Sequence, residues 1–289
     1  MMFRTLVKPR LPGRMKTTPV YRLAVVSLLG VMMLAAQAQA APTAQQALEA
    51  SPIDDIVARY PAMISQGIRD GLARSGRVPP LVADTIGYVV SNSYQASDIE
   101  QQLVADLQAG LSGEQLAAVE NWYQTPVAQK IARAEIAASD PSAWKDIQAR
   151  APALNDKYKG TPRAEMFSRF DRASRATESA VDTTIAVQLG LASAMAAFSK
   201  DSVNYDQLKA RVEGQRGMLQ GVVGQQVYDS YLVTYENISV QEMDLYLDFL
   251  ESDAGSAFSR VVTNSIQQAV TAPVENIGQQ MAKILNQGG

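Results

Sequence analysis

A stretch of this chain recurs 127 residues downstream. The first copy runs Leu111-Ser112-Gly113-Glu114-Gln115-Leu116, continues through Trp122-Tyr123-Gln124-Thr125-Pro126-Val127-Ala128, and reaches Ile131. The second runs Ile238-Ser239-Val240-Gln241-Glu242-Met243, continues through Phe249-Leu250-Glu251-Ser252-Asp253-Ala254-Gly255, and reaches Phe258. Each reads as a capped helix with an aromatic near its end, a Ser or Thr cap, and a second helix with a small residue in its first turn. Leu116, Val119 and Tyr123 share one face, as do Met243, Tyr246 and Leu250. Val127 and Ile131, or Ala254 and Phe258, are placed to close a helical hairpin against that face, and Ala128 or Gly255 permits close approach. Trp122 and Phe249 are the equivalent anchors. Further upstream, Ile53-Asp54 matches Val181-Asp182 more loosely.

Helix signals fill the rest of the chain. Ser51-Pro52 followed by Asp54-Asp55 is a capped start, and Pro61 inside the stripe Ile53, Val57, Tyr60, Ile64, Ile68 predicts a kink. Capping boxes are expected at Ser97/Glu100, Ser112/Gln115 and Ser239/Glu242. Proline-led starts are expected after Pro79-Pro80, at Thr125-Pro126, Asp140-Pro141 and Thr161-Pro162, and at Pro273. The expected fold is all-α, about ten to twelve helices, in two tandem helical-repeat units of about five to six helices each, residues 41–160 and 161–289.

The first 40 residues read as a secretory signal. Arg4, Lys8, Arg10, Arg14, Lys16 and Arg22 precede an apolar run from Leu23 to Ala36 and an Ala38-Gln39-Ala40 exit, and no acid occurs before Glu49. The run is shorter than the roughly 20 residues of a spanning helix, so cleavage near Ala40 is expected rather than a retained anchor. Removing it takes away six of the 26 Lys and Arg and none of the 29 Asp and Glu, which drives the net charge well below −3. The mature chain is then a poor ligand for nucleic acid. The expected location is periplasmic or secreted.

The chain has no cysteine and no histidine. Thiol and serine–histidine mechanisms are therefore closed, along with the common zinc ligands. No catalytic, cofactor or metal residues are assigned, and the acids near Asp201, Asn204 and Asp206 lack the spacing of a calcium loop. Arg169, Arg172 and Arg175 share part of one helix face. They form either a weak surface for an anionic partner or a solvated face interleaved with Glu165, Asp171 and Glu178. Gly214, Gly217, Gly221 and Gly224 would fall on one helix face, as an internal crossing or as a binding groove.

The hairpin resembles the signature of an exported bacterial family known as domain of unknown function twenty fifty-nine, a helix with Glu-Leu followed by Phe-Tyr-x-Ser-Pro-x-Gly-x-Lys. The first copy keeps Glu114, Leu116, Trp122-Tyr123, Thr125-Pro126, Ala128 and Lys130. The second keeps Glu242-Met243, Phe249, Ser252 and Gly255 but lacks the tyrosine, proline and lysine. The resemblance implies an all-helical exported protein and no particular activity. Glu251-Ser252 with Phe258 also resembles the Glu-Ser-x-Phe of helical lytic transglycosylases, with the phenylalanine displaced. The expected function is a cell-envelope binding or scaffolding module that meets an envelope protein, lipid or glycan. The alternatives are a carboxylate-dependent glycan-cleaving enzyme and a self-assembling structural protein.

Overall fold

The computed structural model describes residues 43–75, 94–199 and 205–287, with isolated positions 84, 87, 88 and 92. The signal segment and Pro79-Pro80 lie outside the described residues. Among the described residues every regular element is an α-helix, as the capping pattern predicts. In chain order these are α1 (Ala44–Ala50), α2 (Ile53–Val57), α3 (Tyr60–Ser75), α4 (Ala96–Gly110), α5 (Gly113–Tyr123), α6 (Pro126–Ala138) and α7 (Ala143–Tyr158). They continue with α8 (Pro162–Ser174), α9 (Ala176–Ser199), α10 (Tyr205–Glu213), α11 (Arg216–Thr234), α12 (Val240–Glu251) and α13 (Asp253–Gln287).

Local chemistry explains most boundaries. Ser112 and Ser239 each accept the backbone N–H three residues on, while the Gln115 and Glu242 side chains accept the cap N–H in return, so two free donors are satisfied at each helix start. Three boundaries differ from expectation. The chain breaks after Val57 and restarts at Tyr60, so Pro61 lies in a first turn, where its missing N–H costs no hydrogen bond, rather than at a kink. Gln95, not Ser97, precedes α4, and Glu100 instead accepts from the Gln45 amide of α1 at 3.3 Å. Pro273 lies within α13 and does not open a new helix.

Residues 41–289 form one compact unit. The long helices α9 and α13 run along each other, α13 also lies on α4, and α11 packs against both α7 and α9. Helices from either side of residue 160 therefore share contacts, and one apolar core extends through them. Its fully enclosed members include Leu48, Leu103, Leu107, Leu232, Met243 and Leu247. Burying each such side chain contributes about 1.5–3 kcal/mol. With no cysteine anywhere, this packing has no covalent cross-link to assist it. Two close approaches fix the crossings. A Cβ on Gly110 would sit 2.8 Å from Val261, and one on Gly67 would touch Val187 at 3.6 Å. The turn between α7 and α8 uses Gly160 at φ 68, and α8 ends on Arg175 at φ 56, so α9 starts at once in a new direction.

Candidate functional site

The two similar hairpins, α5–α6 and α12–α13, pack against each other. Trp122 was expected to anchor its own hairpin, but it is only half-buried and stacks on Phe249 of the other, with ring centroids 4.9 Å apart and planes 11° apart. Tyr246 stacks on the same indole at 6.2 Å. Tyr123 reaches across to Phe249 edge-on at 5.7 Å and to Phe258 at 6.1 Å. The polar contacts are reciprocal in position. Gln115, from the capping box of α5, donates to Asp253 at the start of α13 (2.7 Å). Glu242, from the capping box of α12, accepts from Lys130 early in α6 (2.8 Å). Together with the Ser239 N–H, Lys130 holds the Glu242 carboxyl down at about 2.

The second helix of each hairpin begins as its sequence suggests. Thr125 Oγ1 accepts from the Ala128 N–H with Pro126 in the first turn, and Ser252 Oγ accepts from the Gly255 N–H at 3.1 Å. Gly255 has no freedom to vary, because a Cβ there would lie 2.0 Å from the Phe249 carbonyl oxygen. Leu116, Val119, Tyr123, Ile131, Met243, Tyr246, Leu250 and Phe258 are all buried.

The three arginines do not present a common cationic surface. Arg169 donates to both Glu251 oxygens, at 2.9 and 2.7 Å, and lies within 3.4 Å of Asp248 and Asp244, so its pKa rises and that of Glu251 falls. Arg175 pairs with Glu178 and donates to Asn264 at 2.9 Å. The chain thus places Glu251 on an exposed helix end beside a guanidinium. That setting favours the ionised carboxylate and opposes the neutral form a general acid requires.

The glycines divide. Gly214 lies between α10 and α11, which breaks the expected single helix. Gly224 packs on Thr177 of α9 at 3.7 Å, an internal crossing. Gly217 and Gly221 face open space and alternate with Met218 and Val222, which are 65% and 58% exposed. No charged residue occurs from Gly217 to Tyr228. Methionine and valine open to water on a helix whose other face is core form an apolar strip of the kind partners cover.

One residue carries chemistry that the sequence pattern did not single out. Glu135, near the end of α6, accepts hydrogen bonds from Tyr235 (2.6 Å) and Tyr246 (2.7 Å). Burial raises its pKa against the opposing effect of those two donors. A hydropathy stripe cannot reveal it, because its partners lie 100 and 111 residues away. Among the described residues no group of three acids is placed to hold a metal, and no helix is long and apolar enough to cross a membrane. A cavity of about 290 Å³ beside α3 is bordered by Ser65, Arg69, Asp84 and Tyr88.

No curated protein and no solved structure matches the chain. From α4 into α7, residues 97–157 match the family described as "Uncharacterized protein conserved in bacteria (DUF2059)".

Proposed function

We propose that the protein is an exported helical binding or scaffolding module of the bacterial cell envelope, built by duplication of the hairpin unit, and that it docks an uncharged apolar segment of another protein. The observation that carries this reading is the outer face of α11, where Gly217, Met218, Gly221 and Val222 are open to solvent without a charge among them. Anionic lipid or phosphorylated glycan would be met by cations, and this strip has none. An apolar helix or strand has no charge to pair and can lie close over the two glycines. The basic leader and its Ala-x-Ala exit support export. The equal spacing of the two hairpins and their reciprocal cap contacts support duplication. A glycan-cleaving role is disfavoured by the Arg169–Glu251 pair.

A photo-crosslinking side chain at Met218, introduced in the producing cell, tests the binding face. The expected result is a single protein adduct that is absent when the probe sits at Leu245, also exposed, and is abolished by Gly221→Glu. A lipid or glycan adduct, or none, overturns the reading, and an adduct with a second copy transfers it to self-assembly. Intact-mass measurement should find Ala41 as the amino terminus, whereas a full-length chain retained in the membrane would end the export proposal.

A further inference from the structure

Glu135 sits where α6 of the first hairpin meets α11 and α12. Both phenols that reach it donate to the same oxygen, Oε1, from Tyr235 at the end of α11 and Tyr246 in the middle of α12. Tyr235 and Tyr246 are 4% and 5% exposed, and Tyr123 of α5 lies near enough to feel the Glu135 charge. The surrounding cations are engaged elsewhere. Arg163 of α8 donates to the carbonyls of Tyr235 and Ile238. Arg59 donates to the Ile136 carbonyl and to Ser139. Lys130, on the same helix as Glu135, holds Glu242. From α7, Arg150 pairs with Asp146 and Glu236. Tyr231 directs its hydroxyl to the Arg163 carbonyl. The carboxyl thus meets phenols and aromatic rings and no counter-ion.

With Oε1 taken by two donors, a proton on this group belongs on Oε2. Ionisation passes that proton to water and leaves a negative charge that two phenols partly stabilise and that no cation neutralises. We propose that Glu135 is a proton-operated latch, which in its neutral form holds α6 against α11 and α12 and on ionisation loosens that junction. The inference stands apart from the α11 docking face and does not depend on export. Its direction follows from linkage. Burial raises the folded pKa above the unfolded one, so the latch is closed below the ordinary carboxylate range and opens as pH rises through the folded pKa.

Hydrogen–deuterium exchange of the full chain, corrected for intrinsic exchange, reads the junction at residues 131–138 and 235–250 between pH 5 and 8. In the wild type, local opening should increase about tenfold for each unit by which the folded pKa exceeds that of the open state. Glu135→Gln, which keeps an acceptor and cannot ionise, should remove that increase. An identical pH profile in both proteins, or a flat one in the wild type, overturns the latch. Carbon-13 titration of the Glu135 carboxyl in the wild type is independent of whether the variant folds. Its midpoint should lie above an ordinary glutamate, at about 4.3, and should move higher in Tyr246→Phe, since a donor to the charged form is lost. A midpoint at or below that value, or one indifferent to Tyr246→Phe, refutes the proposal.

Discussion

Trp122 stacks face to face on Phe249, an aromatic 127 residues away that occupies the same position in the second hairpin. The contact joins the hairpins to each other instead of closing each one separately. Truncating a large core aromatic costs about 3–5 kcal/mol, and Phe249→Ala should fall in that range. Trp122→Ala should cost less, because the indole is only half-buried. The two losses should not add. Denaturant unfolding of the double-mutant cycle should return a coupling of about 0.5–1.5 kcal/mol, whereas additive losses would mean that the stack contributes nothing of its own.

Glycine substitutions should separate the crowded positions from the open ones. Gly255→Ala forces a methyl into the Phe249 carbonyl and should destabilise by at least about 1–3 kcal/mol as the α12–α13 turn shifts. Gly217→Ala and Gly221→Ala meet no neighbour and sit in a helix, so each should stabilise by about 0.4–1 kcal/mol. Thermal unfolding checks both signs. A harmless Gly255→Ala would contradict the tight turn.

The Lys130–Glu242 pair predicts an acid-sensitive contribution. Glu242 is held at about 2, below its unfolded value, so its contribution is present above the ordinary carboxylate range and lost as pH falls toward 2. Lys130→Met should therefore lower stability at pH 7, by no more than about 1 kcal/mol for a partly exposed pair. At pH 2 the variant and the wild type should nearly coincide. This dependence runs opposite to that of Glu135, and the double variant Lys130→Met/Glu135→Gln should flatten both limbs of the stability profile.

Glu251 should behave as a surface partner of Arg169. Glu251→Gln should cost less than about 1 kcal/mol, since both groups face water. Ser252→Ala removes a helix cap and should cost about 0.5–2 kcal/mol. The mature protein should leave purified glycan strands intact. Cleavage by the wild type that disappears in Glu251→Gln would restore the transglycosylase alternative.

Much of the fold is legible along the chain because helix starts are local. Ser112 with Gln115, Ser239 with Glu242, and Thr125 with Pro126 satisfy backbone donors within four residues, so spacing alone places these boundaries. The absence of cysteine and histidine likewise restricts the available chemistry before any fold is known. Tertiary structure decided what spacing leaves open. A capped apolar hairpin can close on itself or on its counterpart, and only the packed chain pairs Trp122 with Phe249. A row of glycines reads alike whether covered or bare, and only the position of α9 buries Gly224 while Gly217 and Gly221 stay open. Arg169 reads as a free cation until α12 brings Glu251 to it, and Glu135 reads as a surface acid until Tyr235 and Tyr246 close over it. Caps and helix periodicity depend on neighbours a few residues away, whereas burial, pairing and proton affinity depend on groups that only long-range packing brings together.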